Sequence, residues 1–203
     1  ILNGGLNGIF IVFDGKAILG TRARKIRSKS FAAFDSIGYP IAAFIDDNRI
    51  IKYLEAPVVQ GEVRFAPSIS DSVFLLKLIP GIRPEILAYL GQHYNIIVIE
   101  SYGVGGIPFY DKRNFMNELR TLTEKGKIIV IATQVMLEGS DAEKYEVGAL
   151  ALDRYNVLQS FDMTVESTVT KLMWLCAEHS DYEEIRDGFY TCINHDLLYE
   201  PKS

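Results

Sequence analysis

The chain has 203 residues, of which 48% are apolar and 23% charged, with a formal net charge of -5. That length and balance suit an ordinary soluble globular protein with one substantial core or a little more. Net acidity argues against a general nucleic-acid binder, which needs a broad basic face, and no apolar run approaches the roughly 20 residues that cross a bilayer.

The opening ILNGGLNG has no basic n-region and no small-residue cleavage site, so it does not read as a signal peptide. It runs almost directly into a strand, as if the chain began inside a domain. In GIFIVFDGKAIL, Phe10 and Val12 alternate with Ile11 and Phe13, and Asp14-Gly15 supplies the turn. GTRARKIRSKS follows as a loop with five cations between Arg22 and Lys29. Such a run is ordinarily solvated or paired with carboxylates, but a lysine desolvated beside a hydroxyl and a carboxylate can assist proton transfer from a nucleophile. IAAFID and RIIKYLE flank the polar turn Asp47-Asn48 and predict a hairpin. Gly61 to Pro67 reads as extended.

From Val73 the rhythm changes. VFLLKLIPG is a continuous apolar run, as in a strand buried on both faces. Pro84 opens a helix over EILAYLGQHY, and NIIVIESYGVGGIP supplies a second buried strand with a glycine-rich loop. DKRNFMNELRTLTEKG predicts a helix with Asp111 as N-cap and Gly126 as stop, and KIIVIATQ the next strand. This alternation predicts βαβ units and a parallel sheet. Ser140 with Glu143, and Ser180 with Glu183, fit capping boxes. TVESTVTKLMWLCAEHS places Val165, Val169, Leu172 and Cys176 on one helix face and sends Glu166, Lys171 and Glu178 elsewhere; Met173 and Trp174 read as core. Cys176 and Cys192 fall in predicted helices as free thiols. His93, His179 and His195 have no ligand spacing, so no metal site is expected.

Two strand ends carry the polar groups of interest. Ser101 leads into SYGVGGIP, where three glycines permit a sharp turn or a close approach to a ligand. Thr133-Gln134 ends the following strand. Carboxyl ends of parallel strands are where such sheets bind small molecules. Residue pattern alone leaves open whether these groups bind a ligand or simply form turns.

Four segments, GKAILGTRARKIRSKSFAAFDSIGYP, VIESYGVGGIP, ATQVMLEGSDAEKYEVGAL and FDMTVESTVTKLMWL, together resemble the C-terminal part of cytoplasmic (type I) bacterial L-asparaginases, in order and in spacing. The resemblance implies an α/β hydrolase that converts L-asparagine to L-aspartate and ammonia through a threonine nucleophile and an acyl-enzyme, with backbone donors holding the oxyanion. It implies no metal or organic cofactor, no nucleic-acid or membrane partner, a cytoplasmic location and a homodimer or homotetramer. The implied organisation is a remnant of a large N-terminal α/β domain over 1–60 (strand plus hairpin), a linker over 61–72, and a smaller C-terminal α/β domain over 73–203, its parallel sheet flanked by helices.

The family's nucleophile motif, of the Thr-Gly-Gly-Thr-Ile type, and its His-Gly-Thr-Asp-Thr motif do not occur in the 203 residues. The chain alone is therefore expected to be inactive. The spacing G-x-x-x-x-K places the family's catalytic lysine on Lys25, in a Thr-Lys-Asp relay. Glu138 falls near a family glutamate that reaches the substrate's amino group in a neighbouring subunit. Gly106 stands where the family often has asparagine, which leaves it a backbone role in substrate binding or at the subunit interface. In some type I members an allosteric asparagine site is built from strand ends corresponding to Ser101, Thr133 and Gln134; this chain has Glu100 and Val135 where the best-known pattern has Arg and Cys. The alternatives are the related amidotransferase subunit that releases ammonia from an amide for tRNA-linked glutamate, and a non-catalytic amino-acid-binding or oligomerisation module.

Overall fold

A computed structural model describes residues 7–55, 65–144, 148–149, 152, 155 and 157–199. The first unit is antiparallel. Strands β1 (Phe10–Phe13) and β2 (Lys16–Leu19) pair with Phe10 opposite Leu19. Asp14 and Gly15 at the turn have φ of 48° and 72°, the left-handed pair that matches the twist of a tight hairpin. Between β2 and the next long strand, β3 (Ala23–Lys25) pairs with β4 (Phe34–Ser36). Part of the cationic stretch that reads as loop is thus strand, because Arg24 and Lys25 find backbone partners in Asp35 and Phe34. β5 (Ala43–Asp46) and β6 (Arg49–Lys52) form the predicted hairpin around Asp47, φ 50°. The sheet order is β1-β2-β5-β6. The extended reading over 61–67 falls partly outside the described residues.

The second unit is a four-stranded parallel sheet, ordered β7 (Val73–Lys77), β8 (Ile96–Ser101), β9 (Ile128–Thr133) and β10 (Leu158–Gln159). β8 and β9 are buried along their whole length, and their side chains alternate between two cores. Ile97, Ile99, Ile129 and Ile131 pack with Leu87, Leu90, Phe115, Leu119 and Leu122 of the α1 (Glu85–His93) and α2 (Met116–Glu124) layer. Ile96, Val98, Ile128 and Val130 pack with Leu172, Leu175, Ile185 and Phe189 of α3 (Val165–Glu178) and α4 (Tyr182–Tyr190). Helices on both faces explain why these strands read as unbroken apolar runs; each buried aliphatic side chain contributes about 1.5–3 kcal/mol.

Several local expectations need correction. The apolar run at β7 predicts burial on both faces, but β7 is an edge strand, with Leu75 and Lys77 exposed; such a run does not tell an edge from a centre. The cap of α2 is not Asp111, which lies in a 3-10 turn over Asp111–Arg113. Asn114 Oδ1 accepts instead from the Met116 amide at 2.9 Å. Gly126, φ 76°, does end α2: its N–H bonds the Thr123 carbonyl while Lys127 N–H reaches Leu122, a Schellman closure. Asp181, not Ser180, caps α4, accepting from Glu183 N and Glu184 N at 2.9 and 3.3 Å; a carboxylate is also favoured there by the helix dipole. Ser140 caps no helix. Its hydroxyl donates to the Phe161 carbonyl, and Gln159 Oε1 takes the Ala142 amide of the short 3-10 turn Ala142–Lys144. Lys171, which periodicity places off the apolar face of its helix, is nevertheless buried, paired with Asp196. Cys192 is exposed just beyond α4 rather than within a helix, while Cys176 lies in α3, where burial pushes its thiol pKa up.

Candidate functional site

Ser101, Thr133 and Gln134 come together at the carboxyl edge of the parallel sheet, and their polar atoms stitch neighbouring strands. Ser101 Oγ donates to the Ala132 carbonyl at 2.6 Å. The Thr133 hydroxyl donates to the Gly103 carbonyl and accepts from the Val135 amide. Gln134 Nε2 donates to the carbonyls of Leu78 (2.7 Å) and Glu100 (3.0 Å), reaching from the end of β9 across to the end of β7. These side chains hold backbone. The strands also follow sequence order across the sheet, so the described residues contain no point of reversal, the feature that opens a ligand crevice in other parallel sheets.

Gly106 closes the loop that follows Ser101. It exchanges backbone hydrogen bonds with Tyr102, Gly106 N to Tyr102 O at 2.7 Å and Tyr102 N to Gly106 O at 3.0 Å. Gly105, φ 144°, rests against the next turn, where a Cβ would lie 2.7 Å from Ala142 Cα. The Asp141 amide donates to the Val104 carbonyl beside it. Gly106 also borders an apolar cavity of about 310 Å³ with Tyr102, Pro108, Phe109 and Tyr110.

Glu138 lies elsewhere. It is exposed and rims a cavity of about 640 Å³ at the junction of the two units, between Ile37 and Gly38 on one side and Met136, Phe161, Asp162 and Tyr199 on the other. Among the described residues its carboxylate has no ion-pair or hydrogen-bond partner. Gly139, φ 74°, makes this corner possible, since a Cβ there would fall 2.6 Å from the Phe161 carbonyl oxygen.

Lys25 is at the end of β3, opposite Phe34, with its ammonium 5.9 Å from the Phe34 ring centroid. It is exposed, forms no ion pair among the described residues, and is not among the residues lining the cavity beside Glu138. The neighbouring arginines behave differently. Arg22 is fully buried and paired with Asp162 at 2.7 Å; Arg24 pairs with Glu166 at 3.3 Å. Period-2 alternation sends Arg22 and Arg24 toward the parallel-sheet unit and Lys25 to the other side. The buried role of Arg22 was not legible in the run of cations, because nothing in the sequence distinguishes it from its neighbours.

The described residues contain no cluster of three or more His, Cys, Asp or Glu placed to hold a metal, and no helix long and apolar enough to cross a membrane. A parallel sheet covered on both faces, joined to an antiparallel unit that carries Lys25 at its surface, defines a two-unit α/β protein with polar strand ends and a cavity at the junction.

Residues 3–58 match the family model for the asparaginase N-terminal region, and residues 72–189 match that for the glutaminase/asparaginase C-terminal domain. The chain belongs to the glutaminase/asparaginase family. It is 39% identical over 182 residues to the L-asparaginase of Thermococcus kodakarensis, covering 90% of this chain and 55% of that protein. The solved structure of the thermostable T. kodakarensis enzyme superposes with a TM-score of 0.91 at 35% identity, covering 98% of this chain and 60% of that one. L-asparaginase 1 of Escherichia coli K12 is 30% identical over 195 residues, which is 95% of this chain and 56% of that protein. A further likeness, 29% over 171 residues, covers 82% of this chain and 38% of a glutamyl-tRNA(Gln) amidotransferase polypeptide of Metallosphaera sedula. The chain spans about half the length of the L-asparaginases it matches.

Proposed function

We propose that this chain is the C-terminal portion of a cytoplasmic, type I L-asparaginase that hydrolyses L-asparagine to L-aspartate and ammonia. The observation that carries the reading is the order of the two family matches, 3–58 then 72–189, with Lys25 falling in the first of them. Lys25 is the catalytic residue of this portion. In its neutral form its amine takes the proton of a threonine hydroxyl as that oxygen attacks the side-chain amide carbon; the threonine and the aspartate of the relay belong to residues outside these 203. Lys25 returns that proton to the amide nitrogen, the C–N bond of the tetrahedral intermediate breaks and ammonia leaves. Water then attacks the acyl-enzyme, releasing aspartate, and one of its protons restores the threonine hydroxyl.

Glu138, exposed on the rim of the junction cavity and without an ion-pair partner among the described residues, is the candidate for meeting a substrate ammonium across a subunit boundary in a homodimer or homotetramer. Gly106 would act through its backbone, at the substrate or the interface. A regulatory asparagine bound by Ser101, Thr133 and Gln134 would have to replace their bonds to Ala132, Gly103, Leu78 and Glu100; calorimetric titration with asparagine tests that site.

The decisive assay measures ammonia and aspartate from L-asparagine with the complete protein carrying this chain. Lys25→Ala is expected to lower turnover by at least about a hundredfold, the scale of a lost general base, with folding retained; near-normal turnover refutes the assignment. The 203-residue chain alone should release no ammonia. The amidotransferase reading, which rests on the weaker 29% likeness, predicts instead that ammonia release depends on glutamyl-tRNA.

A further inference from the structure

We propose that Arg22 is a positioning residue for the reaction: it clamps the base of the β3–β4 hairpin to the parallel-sheet unit and thereby sets where Lys25 stands. The proposal rests on the assignment of Lys25 as a proton acceptor and adds the device that places it.

Backbone strain locates the clamp. Among the described residues, five other than glycine have positive φ: Asp14, Asp47, Phe161, Asn194 and His195. The two aspartates lie in hairpin turns, where that conformation is required. The other three, from two stretches more than 30 residues apart, converge on Thr21-Arg22. Asn194 and His195, φ 48° and 60°, turn consecutive carbonyls inward. The first accepts from Thr21 Oγ1 at 2.7 Å and the second from Arg22 Nε at 2.6 Å. Phe161, φ 49°, precedes Asp162, whose carbonyl accepts from Arg22 Nη1 at 2.8 Å and whose Oδ2 accepts from Nη2 at 2.7 Å. Asp162 Oδ1 in turn holds the amides of Leu198 and Tyr199. The Tyr39 ring completes the enclosure, stacked on His195 at 4.9 Å and 5.6 Å from the Arg22 guanidinium. Left-handed conformations in residues other than glycine persist only where their surroundings over-determine them, and here the Arg22 guanidinium, the Thr21 hydroxyl and the Tyr39 ring supply those surroundings.

The side chain of Arg22 grips one unit while its backbone closes the hairpin of the other. Arg22 N donates to Leu19 O, and Arg22 O accepts from Ile37 N, both at 2.9 Å. β3 begins at the next residue and ends at Lys25. Lys25 itself has no ion-pair partner among the described residues to hold it, so its placement is inherited from the hairpin base, and a catalytic group displaced by about 1 Å loses on the order of a hundredfold in rate. A lysine cannot replace Arg22, because one ammonium does not reproduce a planar fork that serves three oxygens in different directions.

The test uses the complete protein, with Arg22→Lys and Arg22→Met compared with the parent and with Lys25→Ala. Arg22→Lys, the milder change, is expected to fold and to lower kcat for asparagine hydrolysis by about tenfold to a hundredfold, with KM within about twofold, since Arg22 does not line the cavity at the junction. Arg22→Met should do the same or more. Hydrogen exchange in peptides spanning 20–37 should quicken in both while exchange in β8 and β9 stays unchanged. A purely structural arginine would lower the melting temperature yet leave kcat intact below it, and that result overturns the proposal; so does unchanged exchange over 20–37. If Lys25→Ala is inactive while the Arg22 variants turn over normally, the positioning role alone fails. If Lys25→Ala retains full turnover, the catalytic assignment of Lys25 fails and the positioning role falls with it.

Discussion

Replacing Asp196 by asparagine removes one charge from the most deeply buried ion pair among the described residues. Lys171 Nζ lies 2.8 Å from Asp196 Oδ2, with side-chain exposures of 3% and 2%. The ammonium also donates to the Thr191 carbonyl at 2.7 Å and lies 5.9 Å from the Phe189 ring centroid, while Asp196 Oδ1 accepts from the Ile193 amide at 2.7 Å. Asparagine keeps the shape and one carbonyl acceptor, which can serve Ile193 or Lys171 but not both. It leaves a buried ammonium without its counter-charge, which costs about 3–5 kcal/mol. The retained acceptor and the Thr191 carbonyl favour the lower end, about 3 kcal/mol, or roughly 6–12 °C in melting temperature for a protein of this size. Urea unfolding of parent, Asp196→Asn, Lys171→Met and the double variant measures both the loss and the coupling. The double variant should lose less than the sum of the singles, because the methionine no longer needs a counter-charge. A loss for Asp196→Asn below about 0.5 kcal/mol, the scale of a surface substitution, would refute the reasoning by showing that solvent reaches the pair.

Gly105→Ala forces a Cβ to within 2.7 Å of Ala142 at a φ of 144° and should destabilise by about 1–3 kcal/mol, read as a lowered melting temperature; an unchanged melt contradicts the close seating of that loop. Thr133→Val keeps the shape but strands the Gly103 carbonyl and the Val135 amide; the expected loss in urea unfolding is about 1–3 kcal/mol, most of it restored by Thr133→Ser. Burial pushes Tyr182 from 10.0 up to about 12, reinforced by Tyr190. A raised folded-state pKa means the native protein keeps the phenol protonated where the unfolded chain has lost it. That contribution is complete below pH 10.0 and is lost as pH rises toward about 12. Unfolding midpoints across that window should fall less steeply in Tyr182→Phe than in the parent.

Much of the parallel-sheet unit could be read from the chain alone, because its strands and helices are specified by local patterns: unbroken β-branched runs, a proline before α1, a glycine after α2. The two tight hairpins announced themselves in Asp14-Gly15 and Asp47-Asn48. The failures share one physical cause. β7 is an edge strand, Lys171 is buried and Arg22 is buried because of what lies beside each in space, and the partners of the two cations are Asp196, Asp162 and His195, which no periodicity links to them. Side-chain caps failed similarly: the pattern chose Ser180, but the Asp181 carboxylate one residue further on captures the amides. At the candidate site, the resemblance of four segments singled out Lys25 and Glu138. The geometry adds that the strand-end polar groups are engaged with backbone, which Ser101, Thr133 and Gln134 as residue types do not disclose.

The hydrogen bond from Thr21 to Asn194 joins residues 173 positions apart, and that separation has a consequence for biosynthesis. The hairpin unit leaves the ribosome well before the carbonyls that grip Thr21 and Arg22 have been translated. During that interval the Arg22 guanidinium remains hydrated, and Lys25 rides on a hairpin that is tethered only through its own short strands. Docking must wait for the turn at Asn194-His195, so the final ordering of the lysine's surroundings is a late, long-range event in folding. Any protein in which this segment is made but the last turn is missing or delayed would hold the lysine without holding it still.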